Sequence, residues 1–456
     1  MSERHRACTE TVLVLQNGVR SPTINPIMAD TKLSTDSYKG VRDFYPEDMA
    51  VQRYIFETWS KTAESFGFER YDASILEPAE LYKSKGAENA EIVNEQSYTF
   101  TDRGEREVTL RPEMTPTVAR MVAGKRRDLQ FPVRWYSIPN LFRYERPQRG
   151  RLREHWQLNC DIFGGDPVAA DVEILALAHK LLTDFGATAE QFEIRINNRG
   201  FMDEWYSAMG VAESGLRAQI TKLNDRKNKI SDDEYKTKLR EILKEPFDIQ
   251  NLKVGLESND VSQLDSESPL RKTIDALSAL DITNVQLDKT LARGFDYYTG
   301  LVFEVFDVSG ENNRAMLGGG RYDDLTGMFG GDAISGVGFG MGDVTMRDFL
   351  ETHDLLPESV RSTAPHLIVI PMTPEENLFA EQVAHHVRQA GFSVSTDIGT
   401  KKLGEKIGRA SEKGAKFICV IGEDEVASST LTFKSLGSGE ERTGAIGELM
   451  NFLSVE

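Results

Sequence analysis

The chain switches between two hydrophobic periods, and the switches mark its elements. From Gly40, GVRDFYPEDMAVQRYIFETWSKTAESFG places Val51, Ile55, Trp59, Ala63 and Phe66 at helical spacing. Pro46 suits the first turn of that helix, Glu47 and Asp48 suit its positive end, and Gly67 closes it. FERYDASILEP then reads as a strand stopped by Pro78. SYTFTDRGEREVTLRPEMTP predicts a hairpin turning at Asp102, Arg103 and Gly104, which runs through Pro112 into a helix start at Met114. Val133, Trp135 and Ile138 suggest a further strand. EHWQLNCDIFG alternates cleanly, with Trp156, Leu158, Cys160 and Ile162 on one face and His155, Gln157, Asn159 and Asp161 on the other.

Beyond Gly165, VAADVEILALAHKLLTDFGA predicts an amphipathic helix and FEIRINN a strand. Residues 200–285 change character: they are highly charged, rich in helix formers and poor in strand signals, as an inserted helical subdomain would be. LARGFDYYTGLVFEVF returns to strand character. In SGVGFGMGD, Gly336, Gly338, Gly340 and Gly342 alternate along a strand, which suggests the close approach of a ligand or another backbone. From His366, strands and helices alternate over about 90 residues, the pattern of a small α/β unit with a largely parallel sheet. The expected organisation is a flexible extension at 1–37, a core from 38–199 and 286–352, the insertion at 200–285, a linker at 353–363 and a terminal α/β domain at 364–456.

Composition narrows the function. The formal net charge is -18, with 72 Asp+Glu against 54 Lys+Arg, which excludes nonspecific coating of nucleic acid but not a local basic surface. Cys8, Cys160 and Cys419 are too widely spaced to suggest a disulfide framework or a zinc site. No apolar run approaches a membrane span, and TVLVL near the start is too short for a secretory signal, so the chain reads as cytoplasmic. Against this acidic background Arg143, Arg146, Arg149, Arg151 and Arg153 fall together between two strands. Arginine presents a planar fork that matches phosphate oxygens, and the polar face of the following strand favours a pocket over a solvated basic turn. Glu113 at a strand end, and Arg293 and Asp296 beside Tyr297 and Tyr298 in an aromatic segment, are further ligand candidates; a solvated glutamate and a surface turn are the plainer alternatives.

Together these segments resemble the histidyl-tRNA synthetases, class II aminoacyl-tRNA synthetases, from about Tyr38 to the C-terminus. GVRDFYPED and its helix look like the family's dimer-forming motif, FRYERPQRGRLREHWQLNCDIFG like motif 2, and GGGRYDDL with GVGFGMG like motif 3. LARGFDYYTG looks like a signature peculiar to the histidine enzymes. The resemblance implies an α+β catalytic core, an antiparallel sheet flanked by helices, with a helical insertion and a C-terminal α/β anticodon-binding domain. It implies that L-histidine is activated with ATP and Mg²⁺ and transferred to tRNA(His), in a homodimer built through the 40–78 region. By position, Arg143 and Arg293 would be catalytic, at the α-phosphate, with Tyr322 as a further ATP-binding residue. Glu113, Thr115, Gln157, Asp161, Tyr297 and Tyr298 would hold histidine, and Arg146 and Gln148 would lie near the tRNA. The sequence names no Mg²⁺ ligands.

One departure stands out. The family usually has an arginine shortly after the motif 3 glycines that stacks on adenine; in MGDVTMRDFL, Thr345 occupies that place. The expected result is a weakened or rearranged ATP contact with activity retained. Arg347 is a substitute only where the backbone there is not a regular helix. Two rivals share the fold: a catalytically inactive regulatory subunit of ATP phosphoribosyltransferase, which generally lacks the anticodon-binding domain and erodes RGFDYYTG, and an uncharged-tRNA sensor, which loses the phosphate arginines.

Overall fold

The structure is a computed structural model that describes residues 33–83, 96–224, 230–244, 247–291, 297–312 and 314–454. Most of the expected N-terminal extension, and Arg293 and Asp296, lie outside the described residues.

Helix α1 (Pro46–Ser65) starts with proline at its first position and acidic residues in its first turn, and Gly67 follows it at φ +77°. Val51, Ile55, Trp59 and Ala63 are at most 2% exposed and belong to the main core with Tyr136, Leu158 and Ile174. The chain's own sheet and helices cover this stripe, which leaves none of these four side chains for a subunit contact. FERYDASILEP is not one strand. β1 (Glu69–Arg70) pairs parallel with β5 (Val133–Ser137), whereas β2 (Leu76–Pro78) pairs with a different sheet, so the segment crosses between the two. That second sheet has the order β2-β4-β3, followed in the chain from β2 by the short α2 (Glu80–Lys83). β3 (Tyr98–Thr101) and β4 (Glu107–Leu110) form the expected hairpin, its turn held by Asp102 Oδ1, which accepts from Gly104 N–H at 2.8 Å and Arg106 N–H at 2.9 Å.

The main sheet has nine strands in the order β1-β5-β7-β12-β11-β10-β8-β9, with β6 (Asn140–Phe142) also on β7 (Glu154–Phe163). Its others are β8 (Phe192–Asn198), β9 (Val285–Leu287), β10 (Leu301–Asp307), β11 (Leu317–Arg321) and β12 (Gly336–Gly342). Among the described residues of this sheet, β1 with β5 and β8 with β9 run parallel and the other pairs antiparallel. The strict alternation of β7 divides the two faces. Leu158, Cys160 and Ile162 join Ile194, Phe303 and Phe339 in a core shared with α1 and α4 (Pro167–Asp184). Gln157, Asn159 and Asp161 face the other way, beneath α3 (Thr115–Lys125) and the loops.

The insertion is helical as expected: α5 (Arg199–Ala208), α6 (Ser214–Asn224), α7 (Asp232–Leu243), α8 (Ile249–Glu257) and α9 (Pro269–Ala279). Met202, Tyr206, Ile220, Leu239 and Leu252 build a core of their own, while Leu270 and Leu277 of α9 join the main one. After α10 (Asp343–Thr352), the terminal unit carries a five-stranded sheet. Its order is β14 (Val394–Thr396), β13 (Leu367–Pro371), β15 (Phe417–Ile421), β16 (Leu431–Ser435), β17 (Glu441–Gly444). The first three are parallel and β16 and β17 antiparallel, with helices α11 (Asn377–Gln389), α12 (Leu403–Glu412), α13 (Glu423–Ser428) and α14 (Ile446–Leu453). Lys406 on α12 is buried, its ammonium donating to the Pro371 carbonyl at 3.0 Å.

Candidate active site

Register builds the site. β12 lies antiparallel on β7, which places Gly338 opposite Asp161 and Gly340 opposite Asn159. The alternating glycines exist because side chains fold across them: a methyl group added at Gly340 would lie 2.5 Å from Gln157 Nε2, and one at Gly338 would lie 2.8 Å from Tyr322 Oη. The close neighbours are thus side chains of the pocket itself as well as backbone.

At the deep end, Tyr322 donates to Asp161 Oδ1, and the rings of Tyr297, Tyr298 and Tyr322 lie within 6.5 Å of one another. Tyr297 donates to Glu113 Oε2 at 2.8 Å, and Thr115 stands beside the same phenol. Asp161 Oδ2 is buried and has no hydrogen-bond partner among the described residues. Burial raises the Asp161 pKa to about 7, against the opposing hydrogen bond from Tyr322. Two polar groups not foreseen from sequence join this end, Tyr71 and Ser137: the Tyr71 phenol, pushed well up by burial and then by the Asp161 charge, lies beside the Ser137 hydroxyl. A lone tyrosine in FERYDASILEP gave no pattern by which to find it.

The outer end is a cleft of about 1490 Å³, bounded by the motif 2 loop, the sheet face and α8 of the insertion. The five arginines of the loop separate there. Arg143, Arg149 and Arg151 line the cleft; Arg143 Nε donates to the Pro112 carbonyl at 2.8 Å, and Arg151 pairs with Glu145. Arg153 is buried, donating to the Glu145 carbonyl at 3.0 Å with its guanidinium 4.0 Å over the Tyr144 ring, so its role is in folding the loop. Arg146 and Gln148 are exposed; Gln148 also lines the cleft, and it exchanges backbone hydrogen bonds with Arg151. His155 also lines the cleft; burial, then the charges of Arg143, Arg42 and Arg151, lower its pKa to about 3 and keep the ring neutral.

Two expectations change. Tyr322, expected with ATP, stands among the residues expected for histidine. Arg347 is no substitute for a motif 3 arginine: α10 is a regular helix, and Arg347 is directed to Asp48 at 3.0 Å and Glu351 at 3.1 Å. Thr345 does line the cleft. The base of α10 is fixed by buried Asp343, which accepts from Arg42 at 2.7 Å and from Trp156 N–H at 2.9 Å, joining the three motif-bearing stretches.

A buried polar cluster with an orphan carboxylate oxygen suits a small ring bearing N–H groups, and an arginine-lined cleft suits a nucleotide. With a largely antiparallel sheet beneath both, the arrangement defines a class II aminoacyl-tRNA synthetase core. The family model for histidyl-tRNA synthetase matches residues 40–343, and that for an anticodon binding domain matches 366–456. A histidine–tRNA ligase of Leptospira biflexa is 42% identical over 94% of this chain and 99% of its own length. One of Thermoplasma volcanium is 39% identical over 92% and 99%. The fold is that of histidyl-tRNA synthetase from Nostoc sp. PCC 7120, with a TM-score of 0.77 at 24% identity over 93% of this chain and 99% of that one. The chain belongs to the histidyl-tRNA synthetase family.

Proposed function

We propose that this chain is an ATP-dependent histidine–tRNA ligase that works in two steps within the pocket and cleft. A histidine carboxylate oxygen attacks the α-phosphorus of ATP, the bond to the β-phosphate breaks, and pyrophosphate leaves. The terminal ribose hydroxyl of tRNA(His) then attacks the acyl carbon, AMP departs, and the ester remains. The observation that carries this reading is the orphan Asp161 oxygen in a buried tyrosine cluster, on the same face of β7 as Gln157, which lines the Arg143 cleft.

Asp161, Glu113, Thr115, Gln157, Tyr297 and Tyr298 are assigned to histidine, and Tyr322 is reassigned to them because its phenol positions Asp161. Arg143, fixed by the Pro112 carbonyl, is aimed at the charge that grows on the α-phosphate oxygens; loss of one such donor costs ~10²–10³ in rate. Arg293, in the RGFDYYTG signature, is the second arginine for that charge. Mg²⁺ would come with ATP, held by the phosphates and by one or two carboxylates of the protein. Exposed Arg146 and Gln148 are placed near the tRNA. Recognition of both imidazole nitrogens by buried polar groups supports rejection of analogues by ~10⁴–10⁵ without a second site. As a partner of translation the protein is placed in the cytoplasm, as a homodimer.

The test is exchange of labelled pyrophosphate into ATP with each amino acid in turn, then charging of tRNA(His). Exchange with histidine alone is expected. Exchange with no amino acid, from folded protein, sinks the reading in favour of a regulatory relative; one structural neighbour, from Bacillus halodurans, carries both names. Arg293→Ala is expected to cut exchange at least ~10²-fold while histidine binding, read by calorimetry, stays within a few-fold. The opposite pattern removes the role given to Arg293.

A further inference from the structure

Residue 345 carries no cation, yet the wall it belongs to has one. Thr345 Oγ1 donates to the Met316 carbonyl at 3.2 Å, and Gly342 N–H donates to the same carbonyl at 3.4 Å. These bonds tie the start of α10 to the end of the loop that joins β10 to β11. The beginning of that loop is tied to the far end of α10. Asp307 accepts from Ser309 N–H at 2.8 Å and Asn312 Nδ2 at 2.6 Å and faces His353 Nε2 at 2.8 Å, and Asn312 also donates to Thr352 Oγ1 at 3.2 Å. A loop fastened at both ends along one helix delivers Arg314 to the cleft.

The place of delivery is specific. A methyl group added at Gly150 of the motif 2 loop would lie 3.0 Å from Arg314 Cδ, 3.3 Å from Thr345 Cγ2 and 3.8 Å from Asp348 Oδ2. The stem of Arg314 and the methyl of Thr345 therefore occupy neighbouring positions on one wall, opposite the same glycine. An arginine at 345 would compete with Arg314 for that space. Among the described residues no hydrogen bond or ion pair holds the Arg314 guanidinium, whereas Arg151, Arg195, Arg321 and Arg347 are each paired with a carboxylate.

We infer that Arg314 holds the adenine base of ATP, its guanidinium replacing the one that residue 345 lacks. The inference rests on the proposed ATP-dependent activation of histidine. Its neighbours, a methyl and a glycine, form the back of a slot for a flat ring, and a planar guanidinium stacks on such a ring as well as attracting it. Thr345 is then part of the device: its hydroxyl fixes the Met316 carbonyl, and its small size leaves the slot open.

The experiment measures exchange kinetics and, separately, binding of adenosine by calorimetry, for the unaltered protein and Arg314→Ala. Adenosine has no phosphate, so its affinity reports on the nucleoside apart from every phosphate contact. Arg314→Ala is expected to weaken adenosine binding and raise the KM for ATP by about tenfold, with the KM for histidine within twofold. Restoration of the ATP KM by adding Thr345→Arg to Arg314→Ala further supports the exchange of roles. Unchanged adenosine affinity in Arg314→Ala overturns the inference, as do equal rises in the ATP and histidine KM values. Should the unaltered protein show no histidine-dependent exchange, the proposed function fails instead, and the adenosine titration still decides on Arg314.

Discussion

Asp161 concentrates the residue-scale physics of the site. Its carboxyl is 2% exposed, accepts one phenol hydrogen bond, and leaves its second oxygen bare. Burial raises its pKa from 3.8 to about 7. The sign follows: a carboxyl with a raised pKa in the folded protein lowers stability as it ionises, so stability contributed near pH 4 is lost as the pH climbs toward 7. A histidine ring N–H donating to the bare oxygen favours the ionised form and offsets that loss. The kcat/KM for histidine should therefore rise between pH 6 and pH 8, and the rise should be smaller in Asp161→Asn, which has no carboxyl to ionise. The ligand's own imidazole titrates identically in both, so the difference isolates Asp161. A pH profile that Asp161→Asn leaves unaltered contradicts the assignment. At the same scale, Asp161 contrasts with His155, which burial and then the nearby arginine charges keep neutral across this range.

At the scale of elements, β12 and its partner β7 decide how tightly the site is built. A methyl at Gly338 would lie 2.6 Å from the Cys160 carbonyl and 2.8 Å from Tyr322 Oη, and neither backbone nor a buried ring can yield at small cost. Gly338→Ala should lose ~1–3 kcal/mol of stability, read by denaturant unfolding, and raise the KM for histidine. Gly408→Ala, in α12 with nothing within 4 Å of the added methyl, should be neutral or stabilising by up to ~1 kcal/mol. Equal losses in both would mean that packing across β12 is not what the glycines serve. Alternation of glycine, like alternation along β7, was legible because both are local patterns of period two. Which side chains close over the glycines was not, since that depends on the β7–β12 register, a pairing of residues about 180 positions apart. The same limit explains the split of FERYDASILEP between two sheets and the burial of Arg153 and Lys406. One arginine looks like another in sequence, and only the loop's path separates Arg143 at the cleft from Arg153 beneath it. Arg314 had no local signal, standing alone in a polar loop. The stripe of α1 was legible as buried, but what covers it was set by tertiary packing.

For the whole molecule, charge and exposed apolar surface pull in different directions. With the α1 stripe committed to the core, a homodimer through residues 40–78 has to use other groups. The region exposes Tyr45 at 69%, Met49 at 46%, Ile75 at 38% and Leu76 at 39%. Tyr45 caps the start of α1 and its carbonyl accepts from Met49 N–H at 2.9 Å, so the two exposed residues lie at the same end of the helix. Leu76 on β2 and Phe100 on β3 share the face of the three-stranded sheet set by the register of β4, and Phe100 is 50% exposed. A specific interface needs about 1,000 Å² or more, and these apolar groups would form its centre rather than its whole. Sedimentation of the unaltered protein should give a dimer, and Tyr45→Glu with Met49→Lys should shift it toward monomer without loss of helical circular dichroism. Because each copy carries a formal charge of -18, added salt screens repulsion between copies and should favour the dimer. Binding of tRNA should respond in the opposite way, weakening with salt as phosphate contacts through groups such as exposed Arg146 are screened and counterions return. Parallel salt responses, with dimer and tRNA complex weakening together, would place the subunit contact among charged pairs rather than on these apolar residues.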